Sequence, residues 1–201
     1  MKRFIVAVVV LAVLCATGLG AQGKYPGGKP VTIIVPYSAG GLSDIIARFL
    51  SQQLEAKFGS PFVVVNKPGA GAQIGLTELI RSKPDGYTIG MTNFPTVVVC
   101  YLDKDRKAIF NRASFQPIVG ITDTPLVVAV NAKSPYHSLK DLVAAAKASS
   151  KPLVVSSGGV LSNDHLAILD LHKAAGVQFG IIHFDGSGEA ITALVGQKTQ
   201  A

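Results

Sequence analysis

The stretch VTIIVPYSAGGLSD, from Val31 to Asp44, decides the fold predicted from the sequence. Its first part, Val31–Val35, is a run of β-branched residues that predicts a buried strand, and Pro36 ends that strand. Apolar residues then recur at helical spacing and predict a helix over Ser43–Phe58, which Gly59 stops. The apolar face of this helix is expected to contain Ile45, Ile46, Phe49, Leu50 and Leu54. A strand that leads directly into a helix indicates an α/β fold.

The same alternation continues along the chain. Further strands are predicted at Phe62–Val65, Tyr87–Met91, Val97–Tyr101, Leu126–Val130, Leu153–Val155 and Phe179–Phe184. Further helices are predicted at 74–82, Ser138–Ala148, Ser162–Ala175 and Ser187–Val195. The predicted fold class is therefore α/β, with mostly parallel sheets flanked by helices. The polar, irregular stretch 103–117 is predicted to be the passage between two lobes.

Residues 1–21 have the pattern of a secretory signal peptide. Lys2 and Arg3 supply a positive start, Phe4–Ala16 is an unbroken apolar run of 13 residues, and small residues up to Ala21 provide a cleavage site. The run is shorter than the roughly 18 residues that a membrane span needs, although an uncleaved anchor is the alternative reading. We therefore expect the protein to be exported.

The composition excludes several classes of protein. The chain has 201 residues, of which 48% are hydrophobic and 15% are charged, which is too apolar for a disordered chain. The formal net charge is +7, but the basic residues are scattered singly, so no nucleic-acid partner is expected. After signal removal Cys100 is the only cysteine, so no intrachain disulfide can form and a buried, structural thiol is expected.

The loop that joins the first strand to the first helix, residues 36–44, is the first candidate site. Ligands of open α/β sheets bind at the carboxyl ends of the strands, and backbone N–H groups at a helix start favour a carboxylate or a phosphate. Gly40 and Gly41 let the backbone approach a ligand closely, and two serines add hydroxyl donors. The same residues also fit an ordinary capped turn with Ser43 or Asp44 as the N-cap, and turn chemistry alone does not separate these readings.

Three other loops have a similar small and polar composition. In residues 69–75 the third glycine is one position late for a dinucleotide fingerprint, and no Gly-Lys-Ser/Thr follows, so nucleotide binding is not indicated. Residues 156–165 and 185–188 again stand between a predicted strand and a predicted helix. Several such loops predict one cleft lined by backbone donors.

The sequence contains no evident catalytic constellation. A Gly-x-Ser-x-Gly elbow is absent, and the four histidines lack the His-Glu-x-x-His spacing of a zinc site. Ser157 and His165 could form a nucleophile and base pair, but nothing marks an orienting acid. We therefore expect no enzymatic activity, no metal and no cofactor, and a carboxylate-processing enzyme is the alternative.

Short motifs recur along the chain in a fixed order. The first half contains YP at 25–26, VPYSAGGLSDIIAR at 35–48, NKPGAG at 66–71 and PDGYT at 84–88. The second half contains SPY at 134–136, LKDL at 139–142, SGG at 157–159, HL at 165–166 and FDGSGEA at 184–190. In their order and spacing over residues 25–196, these motifs resemble the substrate-binding receptors of tripartite tricarboxylate transporters, often called Bug proteins.

The resemblance implies a two-lobed, type II periplasmic binding protein fold that closes over a small organic carboxylate by a hinge motion. The first lobe would span 22–115 and the second 116–201. The ligand would be a di- or tricarboxylate or a related acid, and the loaded, monomeric receptor would deliver it to membrane permease subunits. The residues expected to line the site are Tyr37, Ser38, Ala39, Gly40, Gly41, Ser43, Asp44, Asn93, Ser157, Gly158, Gly159, Ser162, His165 and Asp185.

The chain departs from the family pattern in two ways. Leu161 stands where the family usually has a second glycine, which would hinder close approach of the backbone. Family members are also substantially longer, so we expect a carboxyl-terminally truncated receptor with an incomplete second lobe and only the amino-terminal part of the first. A non-functional fragment of a disrupted gene is the alternative that this leaves open.

Overall fold

Two parallel sheets with flanking helices make up the molecule. The structure is a computed structural model that describes residues 24–201, so the predicted signal at 1–21 lies outside the described residues. The elements are β1 (Val31–Val35), α1 (Leu42–Phe58), β2 (Phe62–Asn66), α2 (Gln73–Arg81), β3 (Thr88–Gly90), α3 (Thr96–Leu102), α4 (Leu139–Ala148), β4 (Val154–Ser157), α5 (Asn163–Ala175), β5 (Gly180–His183) and α6 (Ser187–Val195). Among residues 24–201, no helix is long and apolar enough to cross a membrane.

Each sheet is parallel throughout, as predicted. The first has the order β2-β1-β3, with Val31 of the central strand opposite Phe62, and the second pairs β4 with β5. The last residues of the chain lie along the other edge of β4, where the Gln200 N–H donates to the Val154 carbonyl at 2.7 Å. Because parallel strands all point the same way, the loops that follow them gather at one edge of each sheet.

Each sheet also has its own hydrophobic core. The first core is centred on β1 and contains Val31, Ile33, Val35, Tyr37, Ala47, Phe62, Ala72, Leu76, Cys100 and Phe110. The second contains Leu142, Val155, Val177 and Phe179. The two clusters share no residue, so the sheets belong to two separately packed lobes.

Helix α1 packs on the first sheet through small and polar residues. Its buried residues are Ser43, Asp44, Ala47 and Ser51, whose short side chains allow the helix to approach β1 and β2 closely. Ile45 and Phe49 are 58% and 64% exposed. The apolar face predicted for this helix is therefore partly uncovered.

The prediction of a strand at Val97–Tyr101 is wrong, because these residues lie in helix α3. Thr96 and Cys100, one helical turn apart, are the buried residues of this helix, and the Cys100 Sγ donates to the carbonyl of Gly71 at 3.3 Å. Burial of this pair outweighs the β-propensity of the intervening valines. The prediction that Cys100 is a buried thiol is confirmed.

The prediction of a strand at Leu126–Val130 is also wrong. The segment has the apolar, valine-rich composition of a strand, but it pairs with none of the strands between residues 24 and 201. Val127 is 82% exposed. A strand needs a hydrogen-bonded neighbour, and its side chains alone do not create one. The other predicted strands and helices are confirmed to within two residues at either end.

Candidate functional site

The strand-to-helix loops of the two lobes meet along one interface. The Ser38 N–H, after β1, donates to the carbonyl oxygen of Asp185, after β5, at 3.0 Å. The Nδ2 of Asn163, at the start of α5, donates to the carbonyl of Phe94, after β3, at 2.9 Å. The loops that the sequence indicated as parts of one cleft therefore lie together.

The amino-terminal ends of helices α1 and α6 face each other across this interface. Neither N-cap residue, Gly41 or Gly186, provides a side-chain cap. The approach is so close that a β-carbon built on Gly188 would lie 2.7 Å from the carbonyl oxygen of Ala39 and 3.1 Å from the nitrogen of Gly41. Each helix start carries partial positive charge and N–H groups that favour an anion, and each first turn also contains one carboxylate, Asp44 in α1 and Glu189 in α6, which offsets part of that charge.

Ser38 lies at the centre of the junction. The residue is 7% exposed, and among the described residues its hydroxyl has no hydrogen-bond partner. A β-carbon on Gly186 would lie 2.9 Å from the Ser38 nitrogen, so the glycine leaves the backbone of the second lobe in direct contact with this serine. An unpartnered buried hydroxyl costs free energy, which a polar ligand atom would recover.

Asp44 is buried, and the protein itself uses both of its carboxylate oxygens. Oδ2 accepts from the Gly40 N–H at 2.9 Å and from Nε of Arg48 at 3.0 Å, and Oδ1 accepts from Nδ2 of Asn66 at 3.0 Å. Burial tends to raise the pKa of Asp44, but the hydrogen bonds from Arg48, Gly40 and Asn66 outweigh it and hold the pKa below its ordinary value. Asp44 thus shapes the loop and has little capacity left for a ligand.

Tyr37 and Asn93 form the wall behind the first loop. The Tyr37 hydroxyl accepts from the Asn93 N–H at 3.3 Å, and the Ser43 hydroxyl donates to Oδ1 of Asn93 at 3.2 Å. Burial is the main cause that raises the pKa of Tyr37. These three residues connect the loops after β1 and β3, while Ala39 and Gly40 stay exposed at the rim.

In the second lobe, the loop after β4 folds around its own polar groups. The Ser162 hydroxyl caps α5 and has two acceptors for its single hydrogen, the Gly159 carbonyl at 2.7 Å and the Asp164 carboxylate, which also accepts from the Gly158 N–H. Leu161 has φ +60°, a left-handed conformation that is costly for a branched side chain and that glycine adopts freely. This conformation explains physically why a glycine suits the position.

Ser157 pairs with a different histidine from the one suggested by the sequence. Its fully buried hydroxyl lies 2.6 Å from Nδ1 of His183, whereas Nδ1 of His165 accepts from the Leu161 N–H at 2.8 Å. The pairing of Ser157 with His165 is therefore wrong. The rings of His165 and His183 are in edge contact, with centroids 4.4 Å apart.

We expect both imidazoles to titrate below the ordinary histidine pKa of about 6.5. Burial is the main cause that lowers both pKa values, and His183 also lowers that of His165, while Asp164 opposes the shift in each. Because the folded protein favours the neutral rings, their stabilising contribution is complete above the ordinary pKa and is lost as the pH falls through it toward the lower folded pKa.

NMR titration of the imidazole protons measures both midpoints. The variant His183→Gln should raise the pKa of His165, since it removes a cationic neighbour. A midpoint at or above the ordinary value for either ring in the folded wild type would contradict the described packing.

A cavity of about 900 Å³ adjoins the loop junction. Helix α2 forms one side, and the loops after β4 and β5 form the other. Gly159 and Asp185, both predicted site residues, lie on its wall, and further lining residues are Ile74, Glu78, Arg106, Val160 and His183. The cavity offers space for a small acid, and it reaches the helix junction only through Asp185, since no residue of 36–44 or 186–188 lines it.

The structure adds residues that were not selected from the sequence. Ser187 and Gly188 lie at the helix junction. The sequence indicated their loop, because it contains glycines between a predicted strand and a predicted helix. Arg106 and Asn163 reach across the lobes, and no local pattern indicates such distant partners. Within residues 24–201, no group of three or more His, Cys, Asp or Glu side chains could hold a metal ion.

Comparisons with known proteins agree with this architecture. A protein called BugT from Bordetella pertussis is 30% identical over 202 residues, a match that covers 93% of this chain and 59% of BugT. A solved structure described as that of a periplasmic transporter superimposes with a TM-score of 0.80 at 34% identity, over 88% of this chain and 59% of that one. MatC from Rhodopseudomonas palustris, solved with bound malate, shares the fold at 24% identity, with a TM-score of 0.77 over 86% of this chain and 58% of MatC.

The relatives are longer than this chain, as the resemblance implied. The chain spans about 60% of the length of the proteins that it matches. The family model described as tripartite tricarboxylate transporter family receptor matches residues 46–201. The chain therefore belongs to the tripartite tricarboxylate transporter receptor family, a family of periplasmic binding receptors and not of enzymes.

Proposed function

We propose that this chain is a receptor that captures a small organic carboxylate between its lobes and delivers it to the membrane permease of a tripartite tricarboxylate-type transporter. The observation that carries the proposal is the junction of two uncapped helix N-termini, one from each lobe, at Gly41 and Gly186. A carboxylate at this junction would receive N–H donors from both lobes at once. It would therefore favour the closed arrangement of the lobes.

The predicted site residues take different parts in this proposal. Ser38 donates its free hydroxyl, and the backbone of Gly41 faces the ligand, whereas the Gly40 N–H already donates to Asp44. Asp44 and Ser162 hold their loops in shape, since their polar atoms are already hydrogen-bonded. Ser157 is fully buried and lies behind the wall of the second lobe. The remaining members of the set line the walls on either side, namely Tyr37, Ala39, Ser43, Asn93, Gly158, Gly159, His165 and Asp185.

The lobes in this proposal are 22–115 and 116–201, and the receptor works as a monomer in the periplasm after removal of residues 1–21. The location is supported by the periplasmic origin of related receptors. The lobe boundary is supported by the separate cores on either side of the segment 116–130, which belongs to no helix or strand. Export itself is tested by sequencing the amino terminus of protein recovered from the periplasm.

The central test is the melting temperature of the purified chain with a panel of carboxylates that includes malate, adipate, citrate and amino acids. A ligand that binds only the folded state raises the free energy of unfolding by about 2.7 kcal/mol when its concentration is a hundredfold above its Kd. For a chain of this size, that free energy raises the melting temperature by roughly 5–10 °C. Isothermal calorimetry then gives the Kd of each acid that produces such a shift.

The matched chemical control is the uncharged diamide of each acid that binds. It has nearly the same shape but lacks the negative charge that the helix ends attract, so it should produce no shift. If every acid leaves the melting temperature of folded protein unchanged, or if a diamide binds as well as its acid, the proposal is wrong.

A further inference from the structure

Arg106 is fixed in the first lobe by contacts at both ends of the residue. Its backbone carbonyl accepts from Nε2 of Gln73 at 2.9 Å, and its Nε donates to Oδ2 of Asp103 at 3.3 Å. Its side chain is only 12% exposed. The guanidinium is therefore held in place from within its own lobe.

The same guanidinium joins loops of both lobes. Nη1 donates to the carbonyls of Ala70 and Gly71 in the first lobe, at 3.1 and 3.3 Å. Nη2 donates to the carbonyl of Val160 in the second lobe, at 2.8 Å. The guanidinium packs closely against Gly71, since a β-carbon built on that glycine would lie 2.9 Å from Nη1 and 3.2 Å from the Val160 oxygen.

The contact with Val160 differs in kind from the other described contacts between the lobes. The Ser38–Asp185 bond joins two backbone groups, and the Asn163–Phe94 bond starts from a neutral amide. Arg106 provides a charged donor, and a charge-assisted hydrogen bond is roughly twice as strong as a neutral one. Opening of the cleft must break this bond.

Val160 lies in the loop that follows β4, between two residues with unusual backbone angles. Gly159 has φ +148° and Leu161 has φ +60°. The Leu161 N–H, which shares a peptide plane with the Val160 carbonyl, donates to Nδ1 of His165 at 2.8 Å. The bond from Arg106 holds the opposite side of that plane from the other lobe. Since Gly158 and Ser162 belong to the same loop, a fixed Val160 carbonyl also orients the proposed ligand wall of the second lobe.

We infer that Arg106 is a positioning residue and an interlobe latch: it fixes the loop 158–162 against the loop 69–72 and sets the residence time of the bound acid. It does so through the Val160 carbonyl, to which its Nη2 donates at 2.8 Å. The loop-fixing part stands on the geometry alone, whereas the residence-time part rests on the proposed function. The two parts are therefore tested by different measurements.

The first measurement is amide hydrogen exchange of the ligand-free chain, read on peptides that cover 158–162 and 69–72. In Arg106→Ala, exchange in both loops should rise about tenfold, the factor expected for loss of one hydrogen bond to a charged group. Arg106→Lys keeps the positive charge but lacks the planar set of N–H donors of the guanidinium, so it should recover only part of the protection against exchange. The matched control is Arg112→Ala, because that arginine is exposed and its side chain has no described hydrogen bond.

The second measurement is the association and dissociation rate constants of an acid identified by the melting assay. Arg106→Ala should raise the dissociation rate constant about tenfold and leave the association rate constant within about threefold. Failure of every acid to bind would refute the proposed function, while the exchange experiment would still decide the loop-fixing part.

Three outcomes would overturn the latch. One is that amide hydrogen exchange in both loops of Arg106→Ala equals that of the wild type. Another is that exchange in β4 and β5 rises as much as exchange in the two loops, which would indicate a general loss of stability. The third is full protection in Arg106→Lys, which would show that the planar set of donors is not required; this variant also decides the question if the alanine variant does not fold.

Discussion

Replacing Gly188 with alanine should lower the affinity for a carboxylate by about 5- to 150-fold, the range that corresponds to about 1–3 kcal/mol of overpacking. The new methyl group would lie 2.7 Å from the Ala39 carbonyl and 3.1 Å from the Gly41 nitrogen, which are backbone atoms of the other lobe. Backbone cannot rotate out of the way as a flexible side chain does. The closed arrangement would therefore be excluded at the junction itself.

The same substitution should leave the second lobe as stable as before, or slightly more stable. Gly188 is the second residue of α6, and alanine favours a helix over glycine by about 1 kcal/mol. Calorimetric Kd values and urea unfolding of the ligand-free variant separate the two effects. Loss of binding without loss of stability is the expected result.

The matched control is Gly180→Ala in β5. A β-carbon there would meet its nearest neighbour at 3.7 Å, which is ordinary contact, and the position is remote from the helix junction. Its affinity should stay within about twofold of wild type, since surface-compatible changes usually cost less than about 0.5 kcal/mol. Equal affinity for Gly188→Ala and wild type would show that the α1–α6 junction is not where the lobes close.

Replacing Asp44 with alanine should destabilise the first lobe by about 2–4 kcal/mol. The variant leaves the Gly40 N–H and the Asn66 amide without their acceptor. Arg48 loses its ion-pair partner as well, but that side chain is 53% exposed and water replaces much of the interaction. Urea denaturation, followed through the tyrosines of the first lobe, measures the loss.

The pH dependence of this difference follows from the direction of the pKa shift. The folded-state pKa of Asp44 is lowered, so the carboxylate stabilises the fold fully above the ordinary aspartate pKa of about 3.9. That contribution disappears as the pH falls through the lower folded pKa. The difference in unfolding free energy between wild type and Asp44→Asn should therefore shrink on acidification.

Asp44 also separates a loop-shaping role from a ligand-binding role. If it shapes the loop, the folded fraction of Asp44→Asn at low denaturant should bind acids within about tenfold of wild type. If wild-type stability were combined with complete loss of binding, the carboxylate would have to contact the ligand, contrary to the hydrogen bonds described for both of its oxygens.

Local patterns in the sequence predicted most of the elements because their determinants are local. Gly59 and Gly176 end α1 and α5 in the left-handed conformation that a helix stop requires, and Ser138 and Ser162 cap α4 and α5 as helix-start residues do. The valines of α3 misled the prediction because burial of Thr96 and Cys100 depends on the neighbouring loop at Gly71, which lies far away in sequence.

The candidate site was predicted as a set of loops and not as a set of contacts. A glycine-rich turn between a strand and a helix is visible in the sequence, so the loops after β1, β4 and β5 could be identified. Two contacts of the site depend on the packing of whole elements. Asp44 accepts a hydrogen bond from Asn66, 22 residues away, and Arg106 donates to Val160, 54 residues away. Such contacts have no signature at short range.

The junction of the α1 and α6 ends has a consequence for how receptors of this kind diverge. Apart from the Ser38 hydroxyl, the donors proposed there are backbone groups, and point mutations other than those to proline leave the N–H in place. We therefore expect mutation to change which acid is preferred mainly through the side chains around the neighbouring cavity, such as Ile74, Glu78 and His183. A gene copy could acquire a new ligand there while its descendants inherit the same way of holding a carboxylate.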